Sequence, residues 1–268
     1  MITYPNAKIN IGLNVVEKRQ DGYHNIETVF YPIGLCDVLE IEPSEGCTDY
    51  SFSASGIPLS GDPEENLIVK AYRLLQSEYD IPPVDISLIK QIPFGAGLGG
   101  GSADAAFTLK MLNEMFELKI TPRKLEKMAA DLGADCPVFI RNKAVFATGI
   151  GNVFTPVKIS LKGYFLVLIK PDIHVSTPEA YSLVIPEKSD VSIAENIQRP
   201  ISEWKALIKN DFEKSVFALH PEIAEIKNNL YAAGAVYASM SGSGSSVYGL
   251  FESEPVLDFK LDNCFVTG

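Results

Sequence analysis

The sequence predicts an α+β fold, and three observations carry that prediction. Segments of strand period and helix period are interspersed without strict strand–helix alternation. The first strand is clearly marked: Ile9, Ile11, Leu13 and Val15 alternate with Lys8, Asn10, Gly12 and Asn14, the period of two of a pleated strand. Pro93-Phe94-Gly95-Ala96-Gly97-Leu98-Gly99-Gly100-Gly101-Ser102-Ala103-Asp104-Ala105-Ala106 separates a strand from a helix and places four glycines within Gly97–Gly101. Glycine is costly in ordered chain, so such a cluster implies positive φ or a close approach to backbone.

Each element follows from its own local pattern. One face of the first strand goes to the core, and the other carries Lys8 and Asn10. A turn at Gln20-Asp21-Gly22 leads to strands over 25–33 and 38–42 and a shorter one over 50–54. Asp62-Pro63-Glu64-Glu65 reads as a capping box with proline at the first helical position. It opens a helix with Leu67 or Ile68, Ala71, Leu74 and Leu75 inward. A strand over 84–89 precedes the glycine stretch. The helix after that stretch aligns Ala106, Leu109, Leu112 or Asn113, and Phe116. A second helix follows, capped by Thr121, with Pro122 in its first turn, Leu125, Met128, Ala129 and Leu132 on one face, and Gly133 as its stop.

Strands over 144–148 and 153–157 come next. Ser160-Leu161-Lys162-Gly163 then reads as a joint between domains 1–160 and 161–268. The second part opens with a strand over 164–169, and Ser176-Thr177-Pro178-Glu179 is a capping box before a short helix. Glu187 to Gln198 reads as a polar surface loop. One amphipathic helix carries Trp204, Leu207, Ile208, Phe212 and Val216; another carries Ile223, Ile226, Leu230 and Ala233 and ends at Gly234. Apolar strands at Tyr237–Met240 and Val247–Phe251 bracket Ser241-Gly242-Ser243-Gly244-Ser245-Ser246.

Bulk properties bound the partners. With 34 Asp and Glu against 23 Lys and Arg, the formal charge is −11, which argues against nucleic acid, whose backbone needs basic patches. A small phosphorylated ligand in a locally positive pocket remains compatible with that charge. Cys36, Cys47, Cys136 and Cys264 have neither metal-ligand spacing nor the density of a disulfide framework. The N-terminal residues show no basic stretch and no apolar run, and the longest apolar run, Tyr164 to Ile169, is far too short for a bilayer. The expectation is a cytoplasmic protein with no membrane partner.

A glycine loop entering a helix presents backbone N–H groups at the positive end of the helix dipole, which is a phosphate site. Gly95-x-Gly97-x-x-Gly100 formally fits a dinucleotide fingerprint, but a second helix stands where a parallel strand would be required. That argues against a nicotinamide-dependent oxidoreductase. No Gly-Lys-Ser/Thr closes the loop, so the Walker pattern fails as well. Phosphoryl transfer needs a cation to spread phosphate charge and a carboxylate to orient an acceptor hydroxyl. Lys8 and Asp135 are the best-placed residues for those two tasks, although a lone strand lysine is normally solvated and a lone aspartate after Gly-Ala is normally a turn residue. Ser241–Ser246 is either a hairpin turn or a second loop that admits a ligand close to backbone. Tyr23 and His24, after the Asp21-Gly22 turn, could pack or could form a stacking platform.

Taken in chain order, several motifs resemble those of the GHMP kinases: Pro5-Asn6-Ala7-Lys8-Ile9-Asn10, Asp21-Gly22-Tyr23-His24, the glycine stretch, Leu132-Gly133-Ala134-Asp135-Cys136-Pro137 and Met240-Ser241-Gly242-Ser243-Gly244. The resemblance spans nearly the whole chain, with Cys136 where the family has Val or Ile. Asp-Gly-Tyr-His is similar to the branch whose acceptor is a cytidine-diphosphate methylerythritol rather than homoserine, galactose or mevalonate. The resemblance implies an N-terminal domain like ribosomal protein S5 domain 2 and a ferredoxin-like C-terminal domain. It implies transfer from ATP, with Mg²⁺, to the 2-hydroxyl of that acceptor in non-mevalonate isoprenoid synthesis. Lys8 and Asp135 would be the catalytic pair. Pro93, Phe94, Gly95, Ala96, Gly97, Leu98, Gly99, Gly100, Gly101, Ser102 and Ala103 would form the ATP loop, with Ser102 as a hydroxyl ligand for the metal. Asn66, Leu67 and Lys90 would contact adenine. Asn10, Tyr23, His24 and Tyr181 would contact the acceptor, with His24 and Tyr181 sandwiching its cytosine. The alternatives are another small-molecule kinase of the same family, of mevalonate or homoserine type, and a non-catalytic sensor on the same fold.

Overall fold

The structure, a computed structural model, describes residues 1–59 and 61–268. In chain order, β1 (Ile2–Thr3) precedes two 13-residue strands, β2 (Asn6–Lys18) and β3 (His24–Cys36), then β4 (Val38–Pro43) and β5 (Tyr50–Gly56). A 3₁₀ turn at Pro63–Glu65 leads to α1 (Leu67–Glu78) and β6 (Val84–Lys90). Beyond the glycine stretch come α2 (Gly100–Met115), α3 (Pro122–Leu132) and α4 (Cys136–Arg141). β7 (Val145–Thr148), β8 (Val153–Pro156) and β9 (Phe165–Pro171) follow. The chain closes with α5 (Thr177–Tyr181), α6 (Ile193–Asn196), α7 (Ile201–Leu207), α8 (Glu213–Leu219), α9 (Pro221–Ala232), β10 (Tyr237–Met240), β11 (Val247–Phe251) and β12 (Cys264–Thr267). Among the described residues no helix is long and apolar enough to cross a membrane.

The chain divides into two compact units, each assembled from separate stretches. The first takes Met1–Lys8, Pro32–Phe94 and Gly99–Lys143; the second takes Ile9–Tyr31, Gly95–Leu98 and Ala144–Gly268. In the first unit the sheet order is β1-β4-β6-β5. β5 and β6 pair in parallel, and a parallel pair needs a crossover, which α1 supplies. In α2, Ala103, Ala105 and Ala106 are fully buried alongside Leu109 and Leu112, so small side chains let this helix pack closely on its neighbours. The expected choice between Leu112 and Asn113 is settled by Leu112, the buried residue of the two.

In the second unit, β9 to β12 form an antiparallel sheet in the order β10-β11-β9-β12. That is the strand order of a ferredoxin-like domain. Helices α5 to α9 fill the first crossover, and the link from β11 to β12 carries no helix. Ile169, Val216, Ile223, Leu230, Ala238 and Val247 are among its fully buried core residues.

Five local expectations are corrected by the structure. β2 is buried on both faces from Asn6 to Leu13, so Lys8 and Asn10 do not face solvent. Asp62 does not open α1: its Oδ1 accepts from the Glu64 N–H within the 3₁₀ turn, and Asn66 is the true cap, accepting from the Ile68 N–H at 2.9 Å. Within that helix Leu74 is only half-buried. The stretch 187–198 contains α6, whose Ile193 is buried. Finally, the helix expected over Trp204–Val216 is two helices. Its middle is diverted because the Lys209 carbonyl and the Asp211 N–H bond to Leu13 of β2, at 2.9 and 2.8 Å.

Candidate active site

Lys8 ends the β2 portion of the first unit and is 4% exposed. A buried ammonium needs a partner, and Lys8 Nζ lies 3.4 Å from Asp135 Oδ2. Asp135 occupies the tight turn from α3 into α4 and makes no capping bond with its side chain. Its carboxylate therefore faces Lys8, while 34% of the side chain remains exposed and open to a ligand. Gly99, with φ +70°, adjoins the same pair: a Cβ there would stand 3.2 Å from Lys8 Cε and 3.1 Å from the Phe139 ring. Lys8, Asp135 and the start of α2 thus share one place in the first unit.

That helix start has the features of an anion site. Gly99 caps α2 in the left-handed region without a side-chain bond, and the Ala103 N–H closes the first turn onto the Gly99 carbonyl at 2.9 Å. The amides ahead of it have no intrahelical acceptor. Ser102 lies in the same turn, and burial raises the Cys136 thiol to about 11, which leaves it unreactive. Beside this turn a cavity of about 630 Å³ is lined by Asn66, Leu67, Leu88, Lys90, Phe94 and Gly101, among others. Its volume suits a nucleoside-sized ligand.

Lys90 contributes to that wall, but its ammonium is already engaged. It pairs with Asp37 Oδ2 at 2.5 Å and Asp104 Oδ2 at 2.8 Å, all three groups being buried. Sequence reasoning missed both partners. A signal was present, because Asp37 interrupts the apolar run from Ile33 to Leu39, and a lone charge inside such a run implies a buried partner.

The remaining expected site residues lie in the second unit. Asn10 is buried; its side-chain amide donates to Thr28 Oγ1 at 2.9 Å, and its backbone N–H donates to Ser241 Oγ at 3.0 Å. The Ser241 hydroxyl donates in turn to the Gly97 carbonyl at 2.9 Å. Gly97 (φ +73°) approaches so closely that a Cβ would lie 2.0 Å from the Ser241 carbonyl oxygen. The Ser241–Ser246 hairpin loop therefore packs directly against the glycine stretch. Asn210 holds it in place, donating to the carbonyls of Met240 and Gly242 at 2.9 and 2.8 Å.

Tyr23 is 62% exposed. His24 stacks on Tyr181 with ring centroids 4.6 Å apart and planes 21° from parallel. Phe212 meets Tyr181 edge-on at 4.6 Å. A base inserted between His24 and Tyr181 would need a ring separation of about 7 Å, twice the carbon contact distance. In this structure the two rings instead form one composite platform.

Comparison with known proteins gives a consistent family. Residues 66–143 match the N-terminal domain model of the GHMP kinases and residues 193–262 match the C-terminal model. The chain is 60% identical over 271 residues to a 4-diphosphocytidyl-2-C-methyl-D-erythritol kinase of Bacteroides fragilis, covering 100% of this chain and 99% of that one. It is 60% identical over 252 residues to the protein of the same name from Parabacteroides distasonis, covering 94% and 92%. A crystal structure of 4-(cytidine 5'-diphospho)-2C-methyl-D-erythritol kinase superposes with a TM-score of 0.78 at 32% identity, over 93% of this chain and 90% of that one.

Proposed function

Because this chain belongs to the GHMP kinases and, within them, to the 4-diphosphocytidyl-2-C-methyl-D-erythritol kinases, we propose that it transfers the γ-phosphoryl group of ATP to the 2-hydroxyl of 4-diphosphocytidyl-2-C-methyl-D-erythritol. This is a step of non-mevalonate isoprenoid precursor synthesis. The observation that carries the chemistry is the Lys8–Asp135 pair beside Gly99 at the start of α2.

Asp135 accepts the proton of the acceptor hydroxyl and orients its oxygen for in-line attack. Lys8 offsets negative charge on the transferring group and holds the Asp135 carboxylate in place. The amides from Gly99 to Ser102 hold the phosphates, with the helix dipole behind them. Asn66 and Leu67 border the cavity that takes adenine, and Lys90 supports that wall from within. Cytosine of the acceptor stacks on the His24 face of the His24–Tyr181 platform, with Asn10 and Tyr23 as further acceptor contacts. In a loose phosphoryl transfer most of the rate comes from positioning and electrostatics.

Among the described residues no three His, Cys, Asp or Glu side chains stand together as a metal cluster. Mg²⁺ held chiefly through nucleotide phosphates needs few protein ligands, and the half-buried Ser102 at the helix start fits that requirement. When bound, the ion spreads the charge of the β and γ phosphates.

The test is a phosphate-acceptor screen with labelled ATP. Label should pass to the cytidine-diphosphate methylerythritol and not to mevalonate, homoserine or galactose. Asp135→Asn keeps size and hydrogen bonding without the proton acceptor, so turnover should fall by ~10² or more with ATP binding nearly unchanged. Near-normal turnover of that variant would remove Asp135 from the chemistry.

A further inference from the structure

Asp37, Lys90 and Asp104 form a buried cluster wholly within the first unit, the Lys90 ammonium donating to both carboxyl groups. Lys90 is the last residue of β6 and Asp104 lies in the second turn of α2. The stretch from Gln91 to Ala103 therefore leaves this cluster and returns to it. Asp37 also holds the departing end by its backbone, since its Oδ1 accepts from the N–H groups of Gln91 at 2.6 Å and Ile92 at 2.8 Å. The Lys90 ammonium reaches beneath the helix start, where a Cβ on Gly100 would lie 3.0 Å from Nζ, and it stands 5.1 Å from the centre of the Phe94 ring.

Packed apolar side chains of similar volume commonly stabilise an interior as well as a buried ion cluster does. Hydrogen bonds from a buried charge add direction: they fix the orientation and register of the segments that they join. Here those segments are the two ends of the glycine stretch. We infer that Asp37, Lys90 and Asp104 are positioning residues, a clamp that holds both ends of the nucleotide loop so that its amides meet the phosphates in register. The inference rests on the reading of residues 93–103 as the ATP loop. Donors aimed at phosphate lose much of their effect when displaced by a fraction of an ångström. The clamp's bonds go to the two ends of the loop that holds the phosphates, so loosening it weakens nucleotide binding more than chemistry.

Asp104→Ala leaves Lys90 and Asp37 as a one-to-one pair and opens only the helix side of the clamp. Its ATP KM is expected to rise about ten-fold, with kcat within about three-fold of the parent and the acceptor KM unchanged. Asp104→Asn keeps a side-chain oxygen for the Lys90 ammonium and should recover most of that rise. Should the alanine variant not fold, hydrogen exchange on Asp104→Asn decides. Amides of residues 91–104 should exchange about three-fold faster while those of α3 keep their parental rates. An unchanged ATP KM, a parallel loss in kcat and both KM values, or exchange that changes uniformly or not at all would overturn the clamp.

Gly101→Ala separates this failure from failure of the loop reading. Among the described residues its new methyl would meet only Leu67 Cδ1, at 3.7 Å, so it obstructs a ligand without disturbing that packing. If it leaves the ATP KM unchanged, the loop is not the nucleotide site and the clamp falls with it. If it raises the ATP KM while Asp104→Ala does not, the clamp alone is wrong.

Discussion

His24 and Tyr181, both half-buried, stack on each other, and the buried Phe212 meets Tyr181 edge-on. That arrangement assigns different roles to residues expected to act alike. With cytosine on the His24 face, as proposed above, His24→Ala should cost the acceptor a stacking partner. Such contacts are worth ~1–3 kcal/mol per base in nucleic-acid complexes, equivalent to a rise of about ten-fold or more in acceptor KM. Tyr181→Phe preserves the ring that supports His24 and should leave the acceptor KM close to the parent value, while Tyr181→Ala should fall between the two. Initial rates at varied acceptor with ATP saturating measure this, and a rise in the ATP KM of equal size would remove the platform from base recognition. The sequence named both rings but not their mutual contact. A motif carries residue identity, whereas ring-on-ring stacking depends on how α5 packs against β3. Lys90 shows the same limit: its place beside the cavity was legible, its two carboxylate partners were not.

Within one glycine run, different glycines answer to different constraints, and the elements they join decide which. Gly97 faces the Ser241 carbonyl with φ +73°, so a methyl there meets backbone and sits in a conformation that L-residues disfavour. Gly101 is helical, and a methyl there would meet Leu67 Cδ1 at an ordinary contact distance of 3.7 Å. Gly97→Ala should therefore lower the melting temperature by several degrees, consistent with a destabilisation of ~2 kcal/mol, while Gly101→Ala should hold or raise it because alanine favours helix over glycine. Thermal unfolding followed by circular dichroism checks both, and equal shifts would mean that the loop packing is not what fixes Gly97. Elements whose signals are local were legible in the sequence. α3 carries its Thr121 cap, Pro122 and final Leu132 as expected, and α5 keeps both halves of its Ser176–Glu179 capping box. Elements set by distant partners were not. The break between α7 and α8 exists because Lys209 and Asp211 bond to Leu13 and Asn210 bonds to the hairpin loop, and no pattern within residues 201–219 encodes that. β1, α4 and β12 are too short for a periodicity to show.

At the scale of the whole molecule the same distinction holds. The strand order of β9 to β12 is one that the family resemblance implied, whereas the compact units, each taking three separate stretches, are set by contacts that a linear reading does not contain. Charge is the whole-molecule property that leads to a further test. A formal charge of −11 disfavours the compact state through self-repulsion, and buried carboxyls add a term of the same sign. Burial raises the Asp104 carboxyl from 3.8 to about 7, and desolvation raises Asp211 as well. Between pH 4 and 7 folded Asp104 holds a proton that the unfolded chain has released, so stability falls as pH rises through that window. Asp49, Glu64 and Asp85 are shifted the other way by Arg73, Tyr50 and Ser51, and their contribution is lost as pH falls below about 4. The melting temperature should therefore peak near pH 4 to 5 and decline toward pH 7. Replacing Asp104 by asparagine, which resembles the protonated carboxyl in shape and has no proton to lose, should flatten most of that neutral limb and leave the acid limb unchanged. Melting curves of the two proteins from pH 3 to pH 8 at fixed ionic strength make the comparison. A parent protein that gains stability from pH 6 to pH 8, or an asparagine variant with the parental slope, would show that Asp104 folds as an ordinary ionised carboxylate.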